Sequence, residues 1–405
     1  MNAVGIDVSK GKSMVAILRP MGELVRKPFE VSHDYATLEA LAYYLKGLDG
    51  ETRAILEYTG RYYEPVARAL HQVGIYVSAV NPILIHNYSD NSLRRVKTDR
   101  KDALKIAKYA LDNWYDLREY TPMDAVRLEL KTANRQYQLY TKMKVGLKNN
   151  LIALLDQTWP GVNTLFDSPV RADGRQKWVD FAYDFWHSEC TCNLSQDVFV
   201  EKYRKWCKRR GYNFSHAKAE DIYIESLGHF NILPKNANTK MLIRESVMAL
   251  NAVSKTAETF HTEMLRLAEQ LPEYKVVMAM YGVGKATGPQ LMAELGDVRR
   301  FSHRGAVIAY AGVDPQPSQS GKHTRNSDPI SRKGSSLLRK VLFQIVEAHL
   351  RKAPVDEPVF AFIDRKRSEG KPYFVYMTAG ANKFLRIYYA RVKEHLNILE
   401  IPFNE

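Results

Sequence analysis

Between residues 4 and 80 the apolar residues fall into short runs separated by turn residues, and the order of those runs constrains the fold more than any other feature of the chain. Residues 4–8, 14–18 and 25–31 are β-rich and lie only a few positions apart, so they read as three strands joined by tight turns. A helical pattern over 35–48 follows, then an apolar strand at 54–57, a helix at 62–73 and a strand at 75–80.

Three linked strands followed by helix, strand, helix, strand is the element order of an α/β ribonuclease H-like domain, predicted here over 1–120. After Pro122 the pattern becomes long and helical. Ala133, Tyr137, Tyr140, Leu147, Leu151 and Leu154 keep heptad spacing, with Lys144 as the polar interruption, and Leu250, Val253, Ala257, Phe260, Met264, Leu267 and Leu271 do the same. These two stretches predict either a coiled-coil-like pair, within the chain or between protomers, or ordinary amphipathic helices of a core. They bracket a middle region, 121–272, that holds an irregular aromatic and basic insertion at about 162–238. Within it, residues 202–210 interleave cations with Tyr203 and Trp206, a pattern that suits phosphate contact plus base stacking or, alternatively, a solvated basic helix face. A mostly helical domain is predicted over 273–405.

The chain is 405 residues long with 59 Lys and Arg against 45 Asp and Glu, a net charge of +14 that points to a polyanionic partner. There is no run of ~18 apolar residues, and the N-terminal residues lack the pattern of a signal peptide. Three cysteines are too few and too clustered for a disulfide framework. Together these predict a cytoplasmic, nucleoid-associated protein with no membrane partner. His187, Cys190, Cys192 and Cys207 offer metal-binding chemistry, but the spacing H-x-x-C-x-C is not a standard zinc pattern.

Four carboxylates stand out. Asp7 ends the first predicted strand, Glu57 ends another, and Asp99 and Asp102 lie three apart at the start of a helical pattern, which places both on one face. A carboxylate that closes an apolar strand is costly unless it is solvated, paired or metal-bound. Hard oxygen ligands favour Mg²⁺, and two ions roughly 4 Å apart stabilise both oxygens of a phosphodiester displacement. From residue 91 to 108 seven cations, Arg94, Arg95, Lys97, Arg100, Lys101, Lys105 and Lys108, face two acids, a surplus that would hold nucleic acid beside the carboxylates. Further on, Gly282, Gly284 and Lys285 open a helix as a glycine-rich turn whose N–H groups suit a DNA phosphate. Residues 320–340 carry six cations, including Lys322, Arg325, Arg332 and Lys333, against Asp328, in a stretch rich in hydroxyls.

The segments G-I-D-V-S-K at 5–10, E-Y-T-G-R-Y-Y at 57–63, V-N-P at 80–82 and K-T-D-R-K-D-A at 97–103 resemble the DEDD insertion-sequence transposases, which include the Piv-type DNA invertases. A-G-V-D-P at 311–315, S-G-K at 320–322 and I-S-R-K-G at 330–334 are similar to that family's C-terminal transposase domain, and Y-G-V-G-K at 281–285 resembles the hairpin of helix-hairpin-helix modules. The resemblance implies a RuvC-like fold with Asp7, Glu57, Asp99 and Asp102 as a quartet binding Mg²⁺, in two ions, with Mn²⁺ as a substitute. It also implies Ser320 as the nucleophile, with Ser318 as the alternative two residues earlier. It further implies DNA ends and target as partners, an element-encoded guide RNA, and a dimer or tetramer that cuts and rejoins DNA at a composite site. A fixed-site invertase and a RuvC-like nuclease or resolvase are the alternatives.

Overall fold

The computed structural model describes residues 1–58, 60–88, 98–315, 319–320, 323–324 and 329–399, which divide into two compact units, Met1–Pro122 and Met123–Glu405. In the first, β1 (Asn2–Ser9), β2 (Lys12–Leu18) and β3 (Leu24–Ser32) precede α1 (Tyr35–Lys46), β4 (Thr52–Glu57), α2 (Tyr63–Gln72), β5 (Tyr76–Val80), α3 (Pro82–Tyr88) and α4 (Asp99–Asp112). The sheet order is β3-β2-β1-β4-β5, antiparallel across the first three strands and parallel from β1 to β4 to β5. This mixed five-stranded sheet with its helices is consistent with a ribonuclease H-like fold, as the order of apolar runs predicts.

Because side chains alternate along a strand, β1 and β4 bury different residues on their two faces. Val4, Ile6, Ala54 and Leu56 pack under α1 and α2 with Leu38, Leu41, Leu45, Val66 and Leu70. Ala3 and Ile55 face the other way, toward Ile106, Ala110 and Trp114 of the α4 region. Burying each large aliphatic side chain contributes roughly 1.5–3 kcal/mol, so both layers hold the strand register. The Asp34 carboxylate caps α1 by accepting from the Thr37 N–H at 2.9 Å, and Gly47 closes that helix two residues earlier than its apolar pattern runs.

The second unit is helical, except for a short hairpin. Its frame is α5 (Ala125–Leu155), which pairs with α10 (Ala237–Glu269) later in the chain. The pairing is antiparallel. Leu130 and Ala133 share a core with Met264 and Leu267, whereas Leu151 and Leu155 share another with Ile243, Val247 and Leu250. Between these ends Tyr140 stacks on Phe260 at 5.6 Å between ring centroids, and Lys144, the polar break in the heptad pattern, meets Glu258 at 3.7 Å. The partner of each heptad stretch is thus the other stretch of the same chain.

The insertion between them is not irregular. It folds as α6 (Lys177–Asp184), α7 (Glu189–Cys192), α8 (Gln196–Arg210) and α9 (His216–Ser226), packed around Trp159, Phe181, Phe185, Phe199, Tyr203 and Trp206. Of the two readings of residues 202–210, this favours the solvated basic helix face over base stacking. Tyr203 is fully buried and Trp206 is 3% exposed, so neither ring is available to a base, while Lys202, Arg204, Lys205, Lys208 and Arg209 remain exposed. His187 directs one ring nitrogen to the Leu233 carbonyl at 3.1 Å and accepts from the Glu189 N–H at 3.2 Å with the other.

The rest of the unit comprises α11 (Tyr274–Met278), α12 (Thr287–Leu295), α13 (Arg304–Ala311), the hairpin strands β6 (Gln319–Ser320) and β7 (His323–Thr324), α14 (Ser336–Lys352), α15 (Pro358–Ser368) and α16 (Tyr373–Leu399). Leu291, Leu295, Val307, Val341, Ile345, Leu385 and Tyr388 form its core. Among the described residues no helix is long and apolar enough to cross a membrane.

Candidate active site

Strand register decides where the first two carboxylates sit. The parallel pairing of β1 and β4 ends on Ile6 and Leu56, and Asp7 and Glu57 are the next residue on each strand. Both share the face of Ala3, Gly5 and Ile55, the face that α4 covers. Asp7 and Glu57 are half-buried and each already interacts with a neighbour.

The second pair arrives through α4. A Cβ on Gly5 would lie 2.2 Å from the Ala103 carbonyl oxygen and 2.3 Å from the Ala107 nitrogen, so only glycine lets the helix seat directly on β1. Ile106 and Ala110 reach toward Ala3, which makes α4 antiparallel to β1 and turns its first residues toward the Asp7 end. Thr98 caps the helix by accepting from the Lys101 N–H, and Asp99 and Asp102 occupy the first turn, where the helix dipole favours negative charge. Asp102 is half-buried and Asp99 is exposed. The charge of Asp99 reaches β2: the Lys12 ammonium is held above the ordinary lysine range, first by its hydrogen bond and ion pair with Glu30 and then by Asp99.

All four carboxylates therefore belong to one face of the sheet, at the end where the parallel strands finish, the usual location for chemistry in such sheets. The donor set consists entirely of hard oxygens and so fits Mg²⁺ or Mn²⁺. Among the described residues, however, no three His, Cys, Asp or Glu side chains stand close enough to hold one ion. Of the predicted cations beside the quartet, Arg100 and Lys101 are exposed on the first turn of α4. Arg94, Arg95 and Lys97 lie outside the described residues.

In the second unit Ser320 lies on β6 and pairs with His323 of β7. Ser318, Lys322 and Arg325 lie outside the described residues. The flanks of the hairpin lock together in a way the sequence reading missed. Pro315 bridges Ile330, the Ser331 N–H donates to the Asp314 carbonyl at 2.9 Å, and the Ser331 hydroxyl donates to the Asp314 carboxylate. The Arg332 N–H donates to the Gly312 carbonyl at 3.1 Å and the Ser335 N–H to the Tyr310 carbonyl at 3.0 Å. Arg339 clamps both sides through the Ala311 and Gly334 carbonyls at 2.9 and 3.0 Å. A Cβ on Gly334 would stand 2.1 Å from the Tyr310 oxygen, so the glycines of A-G-V-D-P and S-R-K-G are what permit the lock. Arg332 and Lys333 point outward, exposed.

Below the lock lies Glu294, whose side chain is fully buried. Its carboxylate accepts from Asn134 at 2.8 Å, from Arg135 at 3.2 Å and from the hydroxyl of Ser335, the N-cap of α14, at 2.8 Å. At the glycine-rich turn, Gly282 has φ +78°, and a Cβ there would meet His349 at 2.8 Å. The Gly284 N–H already donates to the Thr287 hydroxyl at 2.9 Å, and Lys285 beside it is exposed.

Two family comparisons match these two regions separately. Residues 4–160 match the DEDD transposase family, and residues 274–359 match the family described as "Transposase IS116/IS110/IS902 family". The protein belongs to this family of insertion-element transposases. It is 22% identical to the 43.6 kDa protein of insertion element IS110 from Streptomyces coelicolor, over 79% of this chain and 76% of that one. It is 24% identical to the pilin gene-inverting protein of Moraxella bovis, over 84% and 80%, and 22% identical to the 44.8 kDa protein of insertion element IS116 from Streptomyces clavuligerus, over 91% and 88%. The family implies DNA cleavage and rejoining, with metal dependence typical of its DEDD members. The stretch between the two matches, 161–273, contains the helical insertion.

Proposed function

We propose that this transposase cuts and rejoins insertion-element DNA with its acidic quartet and Ser320 acting on the same phosphodiester. The observation that carries the reading is that Asp7 and Glu57 follow the last paired residues of β1 and β4 on the face that α4 covers, with Asp99 and Asp102 in the first turn of α4. In this account the four carboxylates hold Mg²⁺, which would polarise the scissile phosphate and neutralise charge as the leaving oxygen departs. The Ser320 hydroxyl attacks phosphorus, its proton passes to a base or water, and the strand departs with a free hydroxyl. That leaves a phosphoserine link which the hydroxyl of a second strand then displaces, regenerating the serine. Exposed Arg332 and Lys333 supply nearby positive charge for the phosphates, as Arg100, Lys101 and Lys285 do at their own positions.

The reading extends to a homo-oligomer in the cytoplasm and to an element-encoded guide RNA that sets sequence choice by base pairing, with the protein's +14 charge on the backbones. A second reading, inversion between fixed sites, is favoured by the similarity to the pilin gene-inverting protein and would use the same residues.

The test is recombination between a plasmid-borne element junction and its target, with the native flanking DNA present. Asp7→Ala, Asp102→Ala and Ser320→Ala should each abolish joining while DNA binding persists. If Ser320→Ala still joins strands, the serine step is wrong and a metal-only nuclease is the better account.

A further inference from the structure

Met14 of β2 pairs with Asp7 on one side and with Glu30 of β3 on the other, so the three side chains form one row across the face that α4 covers. Lys12 lies two residues from Met14 along β2 and therefore shares that face. Its ammonium meets the Glu30 carboxylate diagonally across the strands at 2.7 Å, with both side chains 53% exposed. The charge of Asp99 also bears, more weakly, on the same ammonium. Lys12 is thus a cation paired with a fifth carboxylate on the neighbouring strand, on the same sheet face as Asp7.

An exposed pair of this kind adds little to stability, so packing gives no strong reason for it. Its position does. A phosphodiester approaching four carboxylates is repelled by them, and an ammonium at their rim offsets that repulsion at the point of approach. Because the bond to Glu30 is worth little in water, exchanging it for a phosphate oxygen is easy, and Glu30 parks the long side chain on the correct face meanwhile.

We propose that Lys12, parked on Glu30, is a phosphate-binding cation of this site that draws the scissile strand onto the acidic face. The proposal rests on the recombinase reading for its reaction but not for its electrostatics, and the test separates the two. Lys12→Gln, Lys12→Arg and Glu30→Gln are compared with wild type in strand joining, thermal melting and Mn²⁺ binding to the DNA-free protein. Lys12→Gln should lower joining at least tenfold, melt within two degrees of wild type and bind Mn²⁺ at least twofold more tightly, because one positive charge has left the carboxylate rim. Lys12→Arg should recover joining to within about threefold of wild type, since a cation is retained. Glu30→Gln should join within about threefold, because the phosphate replaces its partner. Unchanged joining in Lys12→Gln overturns the proposal, as does unchanged Mn²⁺ affinity, which shows that Lys12 lies outside the field of the carboxylates. A drop in melting temperature that accounts for the lost joining in both Lys12 variants also overturns it. If wild type itself fails to join DNA, or Asp7→Ala still joins it, the recombinase reading fails while the Mn²⁺ comparison still decides where Lys12 acts.

Discussion

The two units hold the turns proposed to carry the chemistry by opposite means. Among the described residues of the first, the buried polar side chains are neutral, Asn2, Ser13 and Ser78, and the first turn of α4 is placed by the close seating of Ala103 and Ala107 on Gly5. In the second, Arg127, Asp180, Glu273, Glu294 and His349 are all buried, and the turn that leads into α14 is tied to Glu294. A site placed by backbone contact is sensitive to added volume. One placed by buried charge is sensitive to the loss of a partner, because the group left behind has neither water nor a counter-ion.

The largest expected effect comes from breaking the buried charges. Arg127 is 8% exposed and contacts Asp124 and both oxygens of Glu273 at 2.7 Å, with Glu273 itself 1% exposed. Arg127→Ala strands that carboxylate, and denaturant unfolding should show a loss of about 3–5 kcal/mol in the second unit. Gly5→Ala should be smaller, about 1–3 kcal/mol, confined to the first unit, and accompanied by weaker Mn²⁺ binding as α4 is pushed off β1. Equal loss from both substitutions, or a Gly5→Ala protein with unchanged stability, would break the contrast. The smallest effect concerns Asp34. Hydrogen bonds from Ser32, then from Thr37, hold its carboxyl down at about 2, against 3.8 for an ordinary aspartate. A depressed acid contributes stability above its unfolded value and loses it as the pH falls, so the melting temperature should fall between 3.8 and about 2. Asp34→Asn should flatten that slope.

The same contrast explains what could be read from the sequence. The elements of the first unit were legible because each strand is a short apolar run and each break is local. Asp7 and Glu57 stood out because they interrupt that pattern at strand ends, and Asp99 and Asp102 because they open a helical pattern. The role of Gly5 was not, because its partners, Ala103 and Ala107, lie about a hundred residues away and a glycine carries no hydropathy signal. In the insertion the basic helix face was legible, since the cations of 202–210 are exposed on α8, whereas the helical packing of its rings was not, for a related reason. Its rings are spread over four short helices and meet only in the folded core, so Tyr203 and Trp206 looked like an interleaved surface. The glycine lock beneath Ser320 joins segments about twenty residues apart through backbone atoms, and residue identity says little about such bonds. The antiparallel pairing of α5 with α10 lay between these cases: the heptads announced two faces, and the Lys144–Glu258 and Tyr140–Phe260 contacts show each face answering the other.

The central claim is that Ser320 forms the covalent link to DNA with the help of the acidic face. Its most direct test is to trap the intermediate on a DNA substrate nicked beside the cleavage site, digest the protein, and locate the DNA-bearing peptide by mass spectrometry. The account predicts an adduct on Ser320 in wild type, none in Ser320→Ala, and none in Asp7→Ala at equal DNA occupancy. An adduct on any other residue, or strand joining with no adduct, would contradict it.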